Sequence, residues 1–478
     1  MISKSLENKS FSIGIFEFVQ KYYTKLNISS IIGPLKSSGI PLDSLVKGMI
    51  CHKMEHNLSV HRCGIWIIQP HIMRQLHLAN SFHEKALYRA LETLGQNEGL
   101  VMGKIQANLF SRYNFEHTDS NLDWSSIVLY GNASPLAQYG YSSDHRPDKK
   151  QLTFGVGELA KPINVPFVLS IKEGNVPSKT HFKDTFLRCV KNLKEDSLIV
   201  IDRGANTKDN KILVRSSKMH YLTARILSSK DNNIISQFSL TKSKRVVLKK
   251  KNNQKEIVHY KKIIQNDENV FVCYSPKLYE EQISKKQSKI DEELKTIKQL
   301  SEKIKAGKKI KISTKINLPN EVLEQKVSLQ KRLSSQTEQD IRKHLDEIHI
   351  NGREGFYFLE SSKNLTGKQA IQTYKNKDSI EKTMNSLKNE IEIKPTRVWT
   401  TSSIKGALII GFLAQLFVSL AKYDDKRLKS LSTTTIVNSL RNLTLTIKNS
   451  RDELIQQIIS NIDTISTMIL PNLLIEPG

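Results

Sequence analysis

Short apolar runs that stop abruptly at charged residues or glycine mark strands in the middle of the chain. The clearest is the run from Leu198 to Ile201, which ends at Asp202, Arg203 and Gly204. A short, mostly β-branched run bounded by a turn signal is typical of a strand buried on both faces. Ligand chemistry in open α/β sheets gathers beyond the carboxyl ends of such strands, which makes Asp202 a candidate functional residue. The alternative interpretation is an aspartate that only caps the next helix.

Similar patterns predict strands before this one. Residues 122–130 favour a β-strand but include Asp123, and a carboxylate inside a strand is disfavoured unless something binds it. Two more strands are predicted near 152–159 and 165–171, and Ser178 can cap a helix that leads to the central strand. Three strands, a helix and another strand are the opening order of a ribonuclease-H-like fold.

Helical periodicity dominates both ends of the chain. Residues 1–118 are predicted to be a helical N-terminal region that binds DNA, with a plain helical scaffold as the alternative. Residues 429–478 are predicted to be a helical C-terminal region, a candidate for dimerisation. The apolar stretch 407–418 is too short to span a bilayer, so it is predicted to be a buried helix and no membrane partner is expected.

A change of composition after the central strands predicts an insertion over residues 226–350. Its first part, 242–262, alternates lysines with apolar residues, which indicates β-hairpins that face phosphate groups. Three consecutive lysines are the candidate DNA contacts there: Lys249, Lys250 and Lys251. Solvated lysines without a ligand are the alternative. The second part has isoleucines at intervals of seven residues from Ile283 to Ile304, which predicts one arm of an antiparallel helical hairpin.

The predicted fold class is therefore α/β. It is a ribonuclease-H-like mixed sheet with flanking helices, interrupted by a β-plus-helical insertion, with helical N- and C-terminal regions. The two parts of the sheet domain are predicted at 119–225 and 351–428, on either side of the insertion.

The composition favours a polyanionic partner. The chain has 478 residues and a formal net charge of +26, an excess that indicates nucleic acid, although a lysine-rich proteome would produce the same balance. The four cysteines are scattered and form no CxxC pair, which favours a reducing compartment over a disulfide framework or zinc ribbon. We therefore expect a cytoplasmic, nucleoid-associated protein of a prokaryote.

Three acidic residues form the candidate catalytic set. Asp123 and Asp202 lie on predicted strands, and Glu381 lies on a later predicted helix. Three carboxylates are what two magnesium ions need for in-line attack on a phosphodiester. Asp144 and Asp148 are rival first ligands, but Asp123 is favoured because a strand gives a metal ligand the rigidity that a loop lacks.

The residues around Glu381 carry a resemblance to a known family. Tyr374, two residues, Lys377, three residues, Glu381, six residues and Lys388 resemble the Y-(2)-R-(3)-E-(6)-K signature of insertion-sequence DDE transposases of the "insertion sequence four" type. Further blocks resemble the insertion-bearing branch of that group: residues 122–126, 140–148, 202–204, 355–359 and 404–406. The resemblance covers residues 120–225 and 350–420 well and the ends more loosely.

The resemblance implies a catalytic role and a set of DNA contacts. Asp123, Asp202 and Glu381 would be catalytic residues and ligands of Mg²⁺, for which Mn²⁺ can substitute. Double-stranded DNA would be the partner, as element terminal inverted repeats and as target, bound by a homodimer. The implied DNA-binding residues are Tyr374, Lys377, Lys388 and Arg203.

Two positions depart from the family pattern. Lys377 stands where the signature has arginine, and Ala407 stands where histidine is expected after Ile-x-Gly. Neither change removes a metal ligand. The rival interpretations are a ribonuclease-H-like nuclease without strand transfer and an inactive DNA-binding protein descended from a transposase.

Overall fold

The structure is a computed structural model of the chain. It describes residues 7–115, 119–131, 134–160, 164–249, 255–306, 338–394, 397–450 and 453–471. These residues form two compact units. The first unit takes its residues from 1–223 and 373–478, and the second from 224–372.

The N-terminal part of the first unit is one strand followed by seven helices. They are β1 (Glu7–Ser12), α1 (Gly14–Lys25), α2 (Ile28–Ile32), α3 (Leu42–Glu55), α4 (Val60–Ile67), α5 (Pro70–Gln75), α6 (Lys85–Gln96) and α7 (Glu98–Tyr113). The helices agree with the predicted helical character of this part, but β1 does not. β1 pairs antiparallel with a strand at Thr444–Ser450, more than 400 residues away, so no local pattern could signal it.

The sheet of the first unit has five strands, and two helices connect three of them. They are β2 (Ser120–Val128), β3 (Gln151–Leu159), β4 (Val165–Glu173), α8 (Ser178–Cys189), β5 (Leu198–Ile201), α9 (Lys208–Ser216) and β6 (His220–Arg225). The strand order is β4-β3-β2-β5-β6. The pairs β2–β3 and β3–β4 are antiparallel, whereas β2–β5 and β5–β6 are parallel. This mixed order confirms the predicted ribonuclease-H-like fold class.

The second unit combines an antiparallel sheet with a helical pair. Its elements are α10 (Asn232–Ser236), β7 (Lys244–Lys249), β8 (Lys255–Gln265), β9 (Glu268–Tyr274), α11 (Pro276–Lys305), α12 (Glu338–His349) and β10 (Phe356–Ser361). The order β7-β8-β9-β10 is antiparallel throughout, and it includes the hairpins predicted at 242–262.

Helices α11 and α12 run antiparallel, as a helical hairpin requires. Arg342 pairs with Asp291 at 3.0 Å, and Glu338 pairs with Lys298 at 2.7 Å. The start of the second arm was predicted within residues 307–337, which lie outside the described residues. β10 falls within the predicted resumption of the sheet domain at 351–428; it pairs antiparallel with β9 and lies among residues 224–372 of the second unit.

The remaining elements run to the C-terminus. They are α13 (Gly367–Asn376), α14 (Asp378–Asn385), α15 (Thr401–Asp424), α16 (Thr433–Asn442), β11 (Thr444–Ser450), β12 (Glu453–Ser460) and α17 (Thr464–Ile469). The prediction that 429–478 is helical is wrong at β11 and β12, which pair with each other and with β1 in a three-stranded sheet. In β11, Leu445 and Ile447 alternate with Thr444, Thr446 and Lys448, a short strand pattern that the helical prediction overlooked.

Helix α15 is the core helix of the first unit. It is long and apolar enough to cross a bilayer, yet 89% of its most apolar 18-residue window is buried inside the protein. Its closest neighbour is α6, and glycines face backbone at their crossing. A Cβ at Gly95 would lie 1.8 Å from the Ser402 carbonyl oxygen, and one at Gly406 would lie 2.2 Å from that of Leu91. Only glycine fits both places.

Candidate active site

Asp123 and Asp202 lie on neighbouring parallel strands. The register of β2 against β5 pairs Asn121 with Val200, and two further steps place Asp123 beside Asp202. Asp123 is part of β2, whereas Asp202 follows the last residue of β5 and precedes a 3₁₀ turn, Arg203–Ala205. The two carboxylates therefore lie side by side, where the end of β5 meets the middle of β2.

A buried lysine lies against both carboxylates. Lys377 Nζ is 3.8 Å from Asp123 Oδ1 and 3.8 Å from Asp202 Oδ1, so these two oxygens are no more than twice that distance apart. The Lys377 side chain is 6% exposed, whereas that of Asp202 is 51% exposed. Lys377 was predicted to contact DNA phosphate; the structure directs its ammonium at the two predicted metal ligands, and its DNA contact stays a prediction.

Tyr374 lies next to the same carboxylates. Its phenol donates a hydrogen bond to Asp202, and burial together with the nearby negative charge of Asp202 raises the pKa of the phenol. The amide of Lys377 donates to the Tyr374 carbonyl at 3.1 Å, which fixes the chain between α13 and α14. Tyr374 and Lys377 thus reach the aspartates from one turn of backbone.

Burial controls the charge of Asp123. It raises the pKa of the Asp123 carboxyl, while Lys377 and a backbone hydrogen bond oppose the rise. The negative charges of Asp202 and Glu381 also raise this pKa, so both act on Asp123 electrostatically. An added cation at this site would favour the ionised carboxylate.

Glu381 is the member of the predicted set that stands furthest out. It projects from α14 as an exposed side chain and lines the same cleft as Asp123. Within the described parts of the chain, no three His, Cys, Asp or Glu side chains come close enough to hold one metal ion. The structure thus brings two of the three carboxylates together and places the third beside them.

The cleft has a volume of about 310 Å³, and its other end is basic. Lys388 Nζ contacts Asp144 Oδ1 at 2.7 Å, Ser143 Oγ at 3.0 Å and Ser125 Oγ at 3.1 Å. Lys388 belongs to a π-helical turn, Ser386–Glu390, a feature that is frequent at functional sites. Burial lowers the pKa of Lys388, although Asp144 opposes this change.

The loop aspartates behave as ion-pair partners. Asp144 lies between Lys388 and Lys394, and although burial opposes it, these lysines hold the pKa of Asp144 below its usual range. Asp148 pairs with Arg146 at 2.8 Å on the exposed side of the loop. Neither geometry resembles a metal ligand, which is consistent with the preference for Asp123.

The remaining predicted DNA contacts have different fates. Arg203 is exposed in the turn after Asp202 and acts electrostatically on Tyr374. Lys249 is the last residue of β7 in the second unit. Lys250 and Lys251 lie outside the described residues. All of these DNA contacts stay predictions.

Sequence reasoning missed a buried carboxylate close to the site. Glu158 on β3 is fully buried and accepts hydrogen bonds from Ser379 and Thr383 on α14, the helix that carries Glu381. The signal was available, because Glu158 lies inside an apolar strand as Asp123 does. Lys394 and Ser143 were also missed, since nothing in their local sequence indicates that they meet Lys388.

The donor set fits a hard divalent cation. Carboxylate oxygens are the protein ligands that Mg²⁺ prefers, and it is usually held by one or two carboxylates together with substrate phosphates. Asp123 and Asp202 already converge on one cationic group, the Lys377 ammonium. Asp123 and Asp202 are thus placed to hold the metal, and Glu381, the third predicted ligand, lines the same cleft.

Comparisons with known proteins show a similarity in structure but none in sequence. No protein-family model matches the chain, and no curated protein matches its sequence. The chain is similar in structure to a piggyBac transposase in a synaptic complex with hairpin DNA, solved by cryo-electron microscopy. The match covers 97% of this chain and 81% of that chain at 8% sequence identity, with a TM-score of 0.39.

Proposed function

We propose that the protein is a DDE transposase of the insertion sequence four type. It cleaves DNA at the ends of an insertion sequence and joins the freed 3′-hydroxyl to target DNA, with Mg²⁺ as cofactor. The observation that carries the proposal is the meeting of Asp123, inside one strand, with Asp202, at the end of the neighbouring parallel strand of a ribonuclease-H-like sheet. The spacing from Tyr374 to Lys388, which resembles the family signature, supports it.

The acidic end of the cleft suits a metal ion at the scissile phosphodiester, and the basic end suits a phosphate of the DNA backbone. Mg²⁺, when bound, activates water or a 3′-hydroxyl and stabilises the leaving oxygen. Asp123, Asp202 and Glu381 supply the oxygens that hold it. At the other end, Lys388 with the hydroxyls of Ser125 and Ser143 offers an ammonium and two donors to a phosphate oxygen. The DNA backbone would lie between these groups.

The proposal includes double-stranded DNA as partner. A net charge of +26 supports it, because neutralising phosphates releases counterions and drives binding. A homodimer on the terminal inverted repeats and action in the prokaryotic cytoplasm are part of the proposal.

A cleavage and joining assay tests the proposal. The full chain is incubated with duplexes that carry its own element ends, Mg²⁺ and a target plasmid, and cleavage and joining are scored separately. Both products are expected. Cleavage without joining would instead favour a nuclease, and binding without cleavage would favour an inactive DNA-binding protein.

A further inference from the structure

We propose that Glu158 is a positioning residue, which holds the helix bearing Glu381 against the strand bearing Asp123. The inference rests on the proposed function, since it concerns the same site. Glu158 touches none of the predicted metal ligands, so it acts through α14.

The side chain of Glu158 links strand β3 to helix α14. One carboxylate oxygen accepts from Ser379 Oγ and the other accepts from Thr383 Oγ1, one turn further along α14. The backbone N–H of Asn164 also donates to it. The hydrogen-bonding capacity of this buried carboxylate is thus filled chiefly by side chains of α14.

Asn121 extends the contact to β2. It is the cross-strand neighbour of Glu158, and its Nδ2 donates to Ser379 Oγ at 3.3 Å. Side chains two apart on a strand share a face, so Asn121 and Asp123 both point toward α14. Trp124, on the opposite face, donates to Thr185 of α8 at 2.9 Å. One face of β2 therefore carries both Asn121, which contacts α14, and the proposed catalytic residue Asp123. The hydrogen bonds that Glu158 and Asn121 make to Ser379 and Thr383 of α14 are called the anchor below.

The anchor fixes the rotation of α14. At 3.6 residues per turn, Ser379 and Thr383 share one face of the helix and Glu381 lies on the other. Holding the first face to Glu158 leaves Glu381 on the exposed side, beside the cleft. A rotation or shift of α14 would move Glu381 and also Lys377, which immediately precedes the helix.

The charge of Glu158 strengthens the anchor. Hydrogen bonds to an ionised carboxylate are about twice as strong as neutral ones. Burial raises the pKa of Glu158 to about 7, opposed by Ser379, Thr383, the Asn164 amide and the positive charge of Lys382 on α14. Asn121 and Asn164, which face it from β2 and the following loop, are neutral. Ionisation thus strengthens the hydrogen bonds from Ser379 and Thr383, while burial of the charge itself lowers stability, as the raised pKa shows.

Spin labelling measures the mobility of α14 and so tests whether Glu158 holds this helix in place. The four native cysteines are buried, so a nitroxide placed on Asn385→Cys, at the exposed end of α14, labels one site. The test variants are Glu158→Gln and the pair Ser379→Ala with Thr383→Val, which removes the two donors. Glu98→Gln is the control, because Glu98 is a buried carboxylate paired with Arg188 and makes no contact with α14.

The expected result is a mobile spectral component in both test variants at pH 8. The parent and Glu98→Gln should show no such component. Both test variants should cleave at least about tenfold more slowly than the wild type at pH 8, because misplacing reacting groups by about 1 Å can cost a hundredfold in rate.

Two results would overturn the inference. One is an immobile label in Glu158→Gln, and the other is a mobile label with an unchanged cleavage rate. A mobile label in the variants together with a wild type that never cleaves would support the anchor and reject the proposed transposase activity instead.

Discussion

The ammonium of Lys377 and the carboxylate of Asp123 lie 3.8 Å apart in a nearly closed environment. Because Lys377 contacts Asp202 at the same distance, it offsets the mutual repulsion of two carboxylates on adjacent strands. A divalent cation bound by these oxygens has to share them with, or displace, this ammonium. Lys377 is therefore part of the electrostatics of the predicted metal site.

Replacing Lys377 with methionine should tighten binding of Mn²⁺ and lower stability without it. The divalent cation would face no competing positive charge, while the two aspartates would lose their counterion. The loss in unfolding free energy should stay below about 3 kcal/mol, since Asp202 is half exposed. Calorimetric Mn²⁺ titration and urea unfolding measure both changes. Lys429→Met, an exposed lysine of the first unit, should change neither.

Amide substitution of any of the three proposed catalytic carboxylates should abolish cleavage and leave DNA binding nearly intact. Asp123→Asn, Asp202→Asn and Glu381→Gln each remove a proposed metal ligand with little change in side-chain volume. Gel-based cleavage and binding assays separate the two effects. Asp148→Asn serves as control, because it alters an exposed carboxylate of the neighbouring loop. Full activity of Glu381→Gln would show that the third ligand lies elsewhere.

Removing Asp144 should strengthen DNA binding. Its carboxylate holds Lys388 and Lys394, so Asp144→Ala frees two ammonium groups for phosphates. The plot of log affinity against log salt should steepen by about one to two units, as one or two added phosphate contacts predict. Asp209→Asn removes one negative charge from exposed helix surface and should leave that slope unchanged. Weaker binding by Asp144→Ala would mean that Asp144 orders the lysines for DNA.

Replacing Lys249, Lys250 and Lys251 with alanine should flatten the same salt dependence if the basic hairpin touches DNA. Each lost phosphate contact lowers the slope by about 0.9. The matched control removes three exposed lysines from α11, namely Lys285, Lys295 and Lys303. Equal slopes for the two triple variants would assign the hairpin lysines to solvated surface.

Glu158→Gln should raise stability at alkaline pH. The folded pKa of about 7 exceeds the ordinary value of 4.5, so the folded state binds the proton more tightly than the unfolded state. Wild-type stability should therefore fall as pH rises from about 4.5 to 7 and then level off. Glutamine removes this dependence and gains about 3 kcal/mol at most at pH 8. Urea unfolding at pH 5 and pH 8 measures it; a variant less stable at pH 8 would contradict the shift.

Local patterns predicted the parts of the fold that local physics controls. The apolar run before Asp202 and the β-rich stretch around Asp123 gave both strands, and their order gave the sheet class. Pairings between distant polar segments were not accessible, as β1 with β11 shows. Spacing also placed Tyr374, Lys377 and Glu381 near the site. It could not show that Lys377 turns inward to the aspartates, because that depends on the break between α13 and α14.

The glycine crossing of α6 and α15 restricts how the N-terminal helices can be replaced. Gly95 and Gly406 let an N-terminal helix touch the backbone of the core helix, with no space for a side chain at either position. Helix α6 is thus built into the wall of the first unit. It cannot be replaced as an independent piece, because its loss would leave α15 with an apolar face open to water. Any redesign of the N-terminal helices has to keep this crossing and alter side chains on their outer surfaces.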